Sequence, residues 1–208
     1  MALLCMKCDL YPISQVTPLV NGFNEITIHA PSIASMALPG HYVILEEKHP
    51  CYLLATQTDA ISLMTQQADI LGMKEIHLSP LLGEPLAAPT QDAFYLLQAQ
   101  EDGLNALIFY LKKYRRAFHG LILIEAEQFP FKPCPSRILI QGMPANVIAA
   151  LPLFEDWGIP HRLASQNAQP GCFEGSVSEL ANIWLNVTTH TMPVKELLIT
   201  PSPCLLPS

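Results

Sequence analysis

The chain changes rhythm once, near Pro89, and that change constrains what it can fold into. From Asp9 to Pro89 short extended runs alternate with turn signals: FNEITIHA (residues 23–30) with its β-branched alternation, HYVILEE (residues 41–47) after a Pro-Gly corner, then YLLAT, AISLM and KEIHLSP. One weakly helical stretch lies near Met64 to Leu71. Five or six strands without intervening helices predict a small antiparallel barrel or sandwich. After Pro89 apolar strands alternate with helical segments. DAFYLLQA, GLILIEA and SRILIQG read as strands, and GLNALIFYLKKYRRAF, PANVIAALPLFEDWG and SVSELANIWLNV as helices. Short apolar runs bounded by turns suit strands buried on both faces of a parallel sheet, so a doubly wound α/β unit is expected. Pro152 falls inside the second of these helices and should kink or restart it. The expected division is a β-barrel domain over residues 1–89 and an α/β domain over residues 90–208, ending in a poorly ordered tail, TPSPCLLPS.

Composition narrows the function. Half of the 208 residues are hydrophobic and 14% are charged, which suits a folded globular chain and not a disordered one. The net charge of −7 argues against nucleic acid, whose phosphates call for a basic surface. No apolar run approaches the roughly 20 residues that span a bilayer, and the start lacks a basic segment followed by a sustained apolar stretch. A cytoplasmic protein is expected, with its six cysteines as free thiols. The 19 prolines against 10 glycines supply rigid corners and few of the flexible turns that wrap phosphates.

Four segments, taken in order, resemble the ferredoxin–NADP reductase superfamily, whose short members include flavin reductases and the electron-transfer subunit of dihydroorotate dehydrogenase. Leu38-Pro39-Gly40-His41-Tyr42-Val43-Ile44-Leu45 is similar to a barrel segment of the family. LGMKEIHLSPLLGEPL (residues 71–86) looks like its closing barrel strand and entry to the second domain. DAFYLLQAQEDGLNALIFYLKKYR stands where the family has its first strand, glycine-rich turn and helix, and ILIQGMPANVIAALPLFEDWGIP looks like the segment flanking the nicotinamide. The resemblance covers nearly the whole chain. It implies an FAD-binding-like barrel followed by a nucleotide-binding-like domain, an oxidoreductase or electron-transfer protein, FAD or FMN between the domains, NAD(P)H as donor and a redox protein partner. It places Tyr52 and Thr56 near the flavin ring and turns Gly142 and Met143 toward the nicotinamide.

The sequence departs from the family where phosphate is held. In the family's Arg-x-Tyr-Ser/Thr segment the arginine meets phosphate. Here the stretch is His49-Pro50-Cys51-Tyr52-Leu53-Leu54-Ala55-Thr56, which keeps the aromatic and loses the arginine, and His49 is a poor substitute near neutral pH. TQQADILG, between Met64 and Gly72, lacks the family's Gly-x-x-Ser/Thr turn. The dinucleotide turn is reduced to Gly103 beside Glu101 and Asp102, carboxylates that complement a helix N-terminus themselves and repel a pyrophosphate. Asp102 then reads as an N-cap. Gln141 replaces the cysteine of the Cys-Gly turn, with Gly142 kept. Flavin is therefore the stronger cofactor expectation and NAD(P)H the weaker. The alternative is a cofactor-free relative that keeps the scaffold as an interaction or regulatory module.

Other candidate chemistry has bland competitors. Cys5 and Cys8 have the spacing of a metal or dithiol pair, but no second such pair follows. Cys172, in Gly171-Cys172-Phe173-Glu174-Gly175, could be a thiol of lowered pKa before a helix; equally, the two glycines shape a loop and Ser176 with Glu179 forms a capping box. Lys112, Lys113, Arg115 and Arg116 end a helix, where they offset its dipole or meet a phosphate-bearing ligand or acidic partner. The seven histidines show no ligand spacing and no nucleophile elbow occurs, so neither a metal site nor a hydrolase is expected.

Overall fold

A computed structural model describes residues 8–189 and 191–200. Cys5 and the tail beyond Thr200 lie outside the described residues. The chain forms two compact units: one takes in the chain up to Ala87 together with Asn105–Lys113, the other Ala88–Leu104 and Tyr114–Thr200.

The first unit holds β1 (Asp9–Pro18), β2 (Asn24–His29), α1 (Pro31–Met36), β3 (Tyr42–Leu45), β4 (His49–Tyr52), β5 (Ala55–Thr56), β6 (Ala60–Thr65) and β7 (Glu75–Leu78). The strands make one antiparallel sheet in the order β4-β3-β7-β1-β2-β6-β5. The sheet curls until its ends meet, Leu54 N–H donating to Ser62 O at 2.7 Å and the Cys51 thiol to Met64 O at 3.4 Å. Alternation in β2 drives this, because Ile26 and Ile28 point inward onto Leu45, Leu63 and Ile76. Phe109 belongs to the same core, and Asn105 clamps β6 by accepting from Met64 N–H and donating to Met64 O. The short helix α1 occupies a stretch with no apolar periodicity; its signal is Pro31 at the first helical position. The stretch after Met64 is not an α-helix: β6 continues to Thr65, and a single 3-10 turn follows at Ala68–Ile70.

The second unit holds β8 (Phe94–Gln100), the start of α2 (Gly103–Tyr114), β9 (Gly120–Glu125), β10 (Cys134–Pro135), β11 (Ala149–Ala150), α3 (Pro152–Asp156), β12 (His161–Ser165), β13 (Phe173–Glu174), α4 (Val177–Val187) and β14 (Val194–Ile199). Five strands form a parallel sheet in the order β13-β12-β9-β8-β14. Central strands β8 and β9 are buried almost throughout, as strands covered on both faces must be.

Residues 136–158 correct the sequence reading. SRILIQG forms no strand, Leu139 being 95% exposed, and PANVIAALPLFEDWG contributes only β11 and the single turn of α3. Pro152 does not kink a helix but starts one, at the position where its missing N–H costs nothing. Side chains hold this loop. Buried Arg162 donates to Val147 O at 2.9 Å, Ile138 O at 2.7 Å and Ser136 Oγ at 2.9 Å. Buried Glu155 accepts from Ser136 Oγ at 2.7 Å and Arg137 N–H at 2.8 Å. With its backbone groups so satisfied, the segment needs no sheet.

Candidate functional site

In an open parallel sheet, ligands bind outside the carboxyl ends of the strands where strand order reverses. Here β9, β12 and β13 succeed one another on one side of β8 and β14 returns on the other. The candidate site is therefore the carboxyl edge at Gln100, Glu125, Ser165 and Ile199.

Carboxylates and amides fill that edge. Glu125 accepts from the backbone N–H of Val177, the first residue of α4, at 2.9 Å, and from the amides of Gln100 and Gln166, each at 3.1 Å. Burial pushes its pKa up, but the three donors outweigh burial and hold it below the usual carboxylate range. The helix terminus that could greet a phosphate thus already has its anion. Glu101 takes the left-handed backbone conformation, φ 47°, and accepts from Glu127 N–H at 3.2 Å. Burial raises its pKa, and the nearby charges of Glu127, Glu125 and Asp102 add to the rise against that one hydrogen bond. Gln169 joins the rim by donating to Glu127 O at 2.7 Å and Ser165 Oγ at 3.1 Å.

Gly103 does not stand open for a ligand. A Cβ there would lie 2.7 Å from Ile199 O, so the glycine lets the start of α2 press against the end of β14. Gly142 and Met143 lie elsewhere than at this edge. A Cβ on Gly142 would meet Thr188 at 2.6 Å and Val187 at 3.0 Å, Trp184 Nε1 donates to Gln141 O at 2.9 Å, and Met143 packs on the core beneath α4. This turn sits by the C-terminal end of α4, on the opposite edge of the sheet from Glu125 and Val177. The strand beside β8 across the crevice is β14, which sequence reading missed; its pattern VKELLI carries two charges and is half-exposed on the sheet's edge.

Cys172 lies in the loop before β13, close to the start of α4, but is not an activated thiol. It is buried, and burial pushes its pKa up to about 11. The capping box is present: Glu179 N–H donates to Ser176 Oγ at 3.1 Å and Ser176 N–H to the Glu179 carboxylate at 2.7 Å.

On the barrel, His49 and Tyr52 begin and end β4, and Thr56 lies in β5, paired with Ile61 of β6. Tyr52 faces Tyr42 edge-on, ring centroids 5.9 Å apart, and both rings are partly exposed. The two segments that carry the barrel resemblance bind each other: Leu86 N–H donates to Pro39 O at 2.7 Å, and Tyr42 and Leu82 exchange two backbone hydrogen bonds of 3.0 Å. Leu53, where the family pattern has a hydroxyl, is wholly buried in the barrel core. The aromatic, partly open corner at Tyr52 suits a flavin ring; Pro50 and Leu53 offer nothing to its phosphate. The carboxyl edge of the parallel sheet does not suit the pyrophosphate of a pyridine nucleotide.

Among the described residues no three or more His, Cys, Asp or Glu side chains are placed to hold a metal, and no helix is long and apolar enough to cross a membrane.

No protein-family model and no curated protein sequence matches the chain. Solved structures do. An NADH-dependent reduced ferredoxin-NADP oxidoreductase, described for flavin-based electron bifurcation, is 14% identical with a TM-score of 0.63, over 93% of this chain and 68% of that one. Ferredoxin-NADP+ reductase from Plasmodium falciparum is 12% identical with a TM-score of 0.57, over 92% and 86%. The flavohem-like FAD/NAD binding domain of nitric oxide dioxygenase from Vibrio cholerae is 9% identical with a TM-score of 0.55, over 92% and 98%. The chain has the ferredoxin–NADP reductase-like fold, an antiparallel barrel of the FAD-binding type followed by a parallel-sheet domain of the nucleotide-binding type.

Proposed function

We propose that the chain is an electron-transfer protein of the ferredoxin-reductase kind, with a flavin carried by the barrel and electrons exchanged with a protein partner instead of NAD(P)H. The carrying observation is the carboxyl edge of the parallel sheet, where Glu125 already caps α4 and Gly103 is packed against Ile199. Fold likeness, which by itself does not assign function, supports the flavin, as does the Tyr42–Tyr52 corner. A flavin would supply the electron-accepting ring; Tyr52 would lie against it and the Thr56 hydroxyl would offer a hydrogen bond.

A specific observation favours a second reading, the cofactor-free scaffold acting as an interaction or regulatory module. Two of the three side chains that the family pattern devotes to the flavin, the arginine for its phosphate and the hydroxyl beside the aromatic, have become apolar, as Pro50 and Leu53.

The test is the visible spectrum of the purified protein, alone and with FAD or FMN, followed by titration with NADPH. The electron-transfer reading expects a flavin spectrum that survives gel filtration and no saturable NADPH binding at micromolar concentration. Absence of flavin binding at micromolar concentration would leave the scaffold reading. Tight NADPH binding would show that the carboxyl edge admits a pyrophosphate after all.

A further inference from the structure

The amino edge of the parallel sheet, opposite the carboxylates, carries a recess of 520 Å³. That volume is within the range of about 300–1,000 Å³ typical of small-molecule sites. The starts of β8 and β9 and the turn before β12 form its base, and aromatic rings its walls. Phe94 and Trp184 stack with ring centroids 5.7 Å apart at 26°, and His119 meets Phe94 edge-on at 5.2 Å. Trp157 stands on the same lining with the Arg115 guanidinium 5.5 Å over its ring. Trp184 is fixed as a wall, because its N–H is already donated to Gln141 O.

Two features of this recess call for a ligand of particular chemistry. The aromatic lining suits a planar ring better than a branched aliphatic group, and Leu139 on the same lining, 95% exposed, lacks any apolar cover. The charge is one-sided: on a chain of net charge −7 the lining contains no Asp or Glu, and among the described residues Arg115 makes no ion pair. A guanidinium held over a ring on this aromatic lining presents its remaining N–H donors to a carboxylate. We propose that the recess binds a planar aromatic carboxylate, its ring against the aromatic lining and its carboxylate on Arg115. This assigns to one member of the basic cluster a role beyond offsetting the dipole of α2. It holds whether or not the barrel carries a flavin.

Trp157 and Trp184 are the chain's two tryptophans, so every indole N–H signal in an NMR spectrum reports on the recess. The full chain is titrated with 2-naphthoate and, separately, with the neutral 2-naphthylmethanol. We expect saturable shifts of both indoles with naphthoate, and binding of the alcohol weaker by about tenfold, the step expected for losing a charge-assisted hydrogen bond. Arg115→Gln, an exposed substitution, should weaken naphthoate by a similar factor and leave the alcohol within about twofold. Unmoved indoles at millimolar naphthoate, equal affinity for acid and alcohol, or an unchanged naphthoate affinity in Arg115→Gln would each overturn the proposal.

Discussion

Replacing Glu125 by Gln tests whether the carboxyl edge is closed by its own charge. The carboxylate accepts from Val177 N–H and from two glutamine amides, and these bonds hold its pKa below the usual range despite burial. When the folded pKa lies below the unfolded one, the unfolded chain takes up the proton first. The stabilisation is then fully present above the unfolded value and is lost as pH falls through the folded one. Glu125→Gln keeps the shape and removes the charge. The Val177 bond drops from charge-assisted to neutral, a difference of about 1 kcal/mol, and the first turn of α4 loses its complementary charge, about 0.3–1 kcal/mol. Solvent screening of a partly exposed carboxylate trims the sum, leaving about 1–2 kcal/mol near neutral pH. Urea unfolding of both proteins at a series of pH values measures it. The variant should be less stable at neutral pH, and the gap should shrink as pH falls below the unfolded carboxylate value of 4.5. Equal stability at neutral pH, or a gap that stays constant on acidification, would refute the assignment.

Three further outcomes are expected. Gly103→Ala ought to gain helix propensity, but a Cβ 2.7 Å from a backbone carbonyl should override that and cost about 1–3 kcal/mol in urea unfolding; a neutral or stabilised variant would mean that the glycine is free. His161 is fully buried, accepts from Leu151 N–H at 2.7 Å and faces Ile159 O at 2.8 Å through Nδ1, which therefore carries the proton. Burial lowers its pKa, so stability should decline as pH falls below 6.5, where the unfolded chain gains a proton that the folded one refuses; His161→Phe should remove that decline and cost about 2–4 kcal/mol by stranding two backbone groups. With a pKa of about 11, the Cys172 thiol should resist iodoacetamide at mildly alkaline pH until the chain is unfolded, as read by peptide mass spectrometry, and fast native labelling would contradict its burial.

Much of the fold was legible because residue pattern and burial coincide in it. The alternation of β2, the apolar runs over residues 94–97 in β8 and 121–124 in β9, and the Ser-x-x-Glu box opening α4 all became the elements they resembled. The loop over residues 136–148 was not legible, because its stability comes from Arg162 and Glu155, whose hydrogen bonds to it span 15 to 26 positions of sequence. An apolar run reads as a strand only when nothing else satisfies its backbone. Strand β14 was missed for the converse reason: Lys195 and Glu196 dilute a segment that pairs with the apolar β8 along only one side. At the candidate site the sequence showed which phosphate-binding residues had changed, while what the survivors do instead required coordinates. Gly103 looks like the remnant of a turn, and it is a contact for Ile199.

The relative size of two effects decides how that edge is to be understood. A glycine lost from a phosphate turn changes backbone energetics by about 1 kcal/mol where a left-handed residue is forced, as at Glu101. A carboxylate about 4 Å from a phosphate charge opposes it by about 4 kcal/mol at the effective dielectric of a protein surface, close to three orders of magnitude in affinity. Charge repulsion therefore outweighs the lost glycine, and it lies with Glu125, a residue outside the glycine turn where the family pattern directs attention. Because Glu125 is held in place by donors on three segments, Gln100, Gln166 and the start of α4, it cannot swing away to admit a phosphate without leaving all three unpaired. The network that fills this edge also stabilises the fold, so on the proposed reading any gain of nucleotide binding there would come at the expense of folding stability.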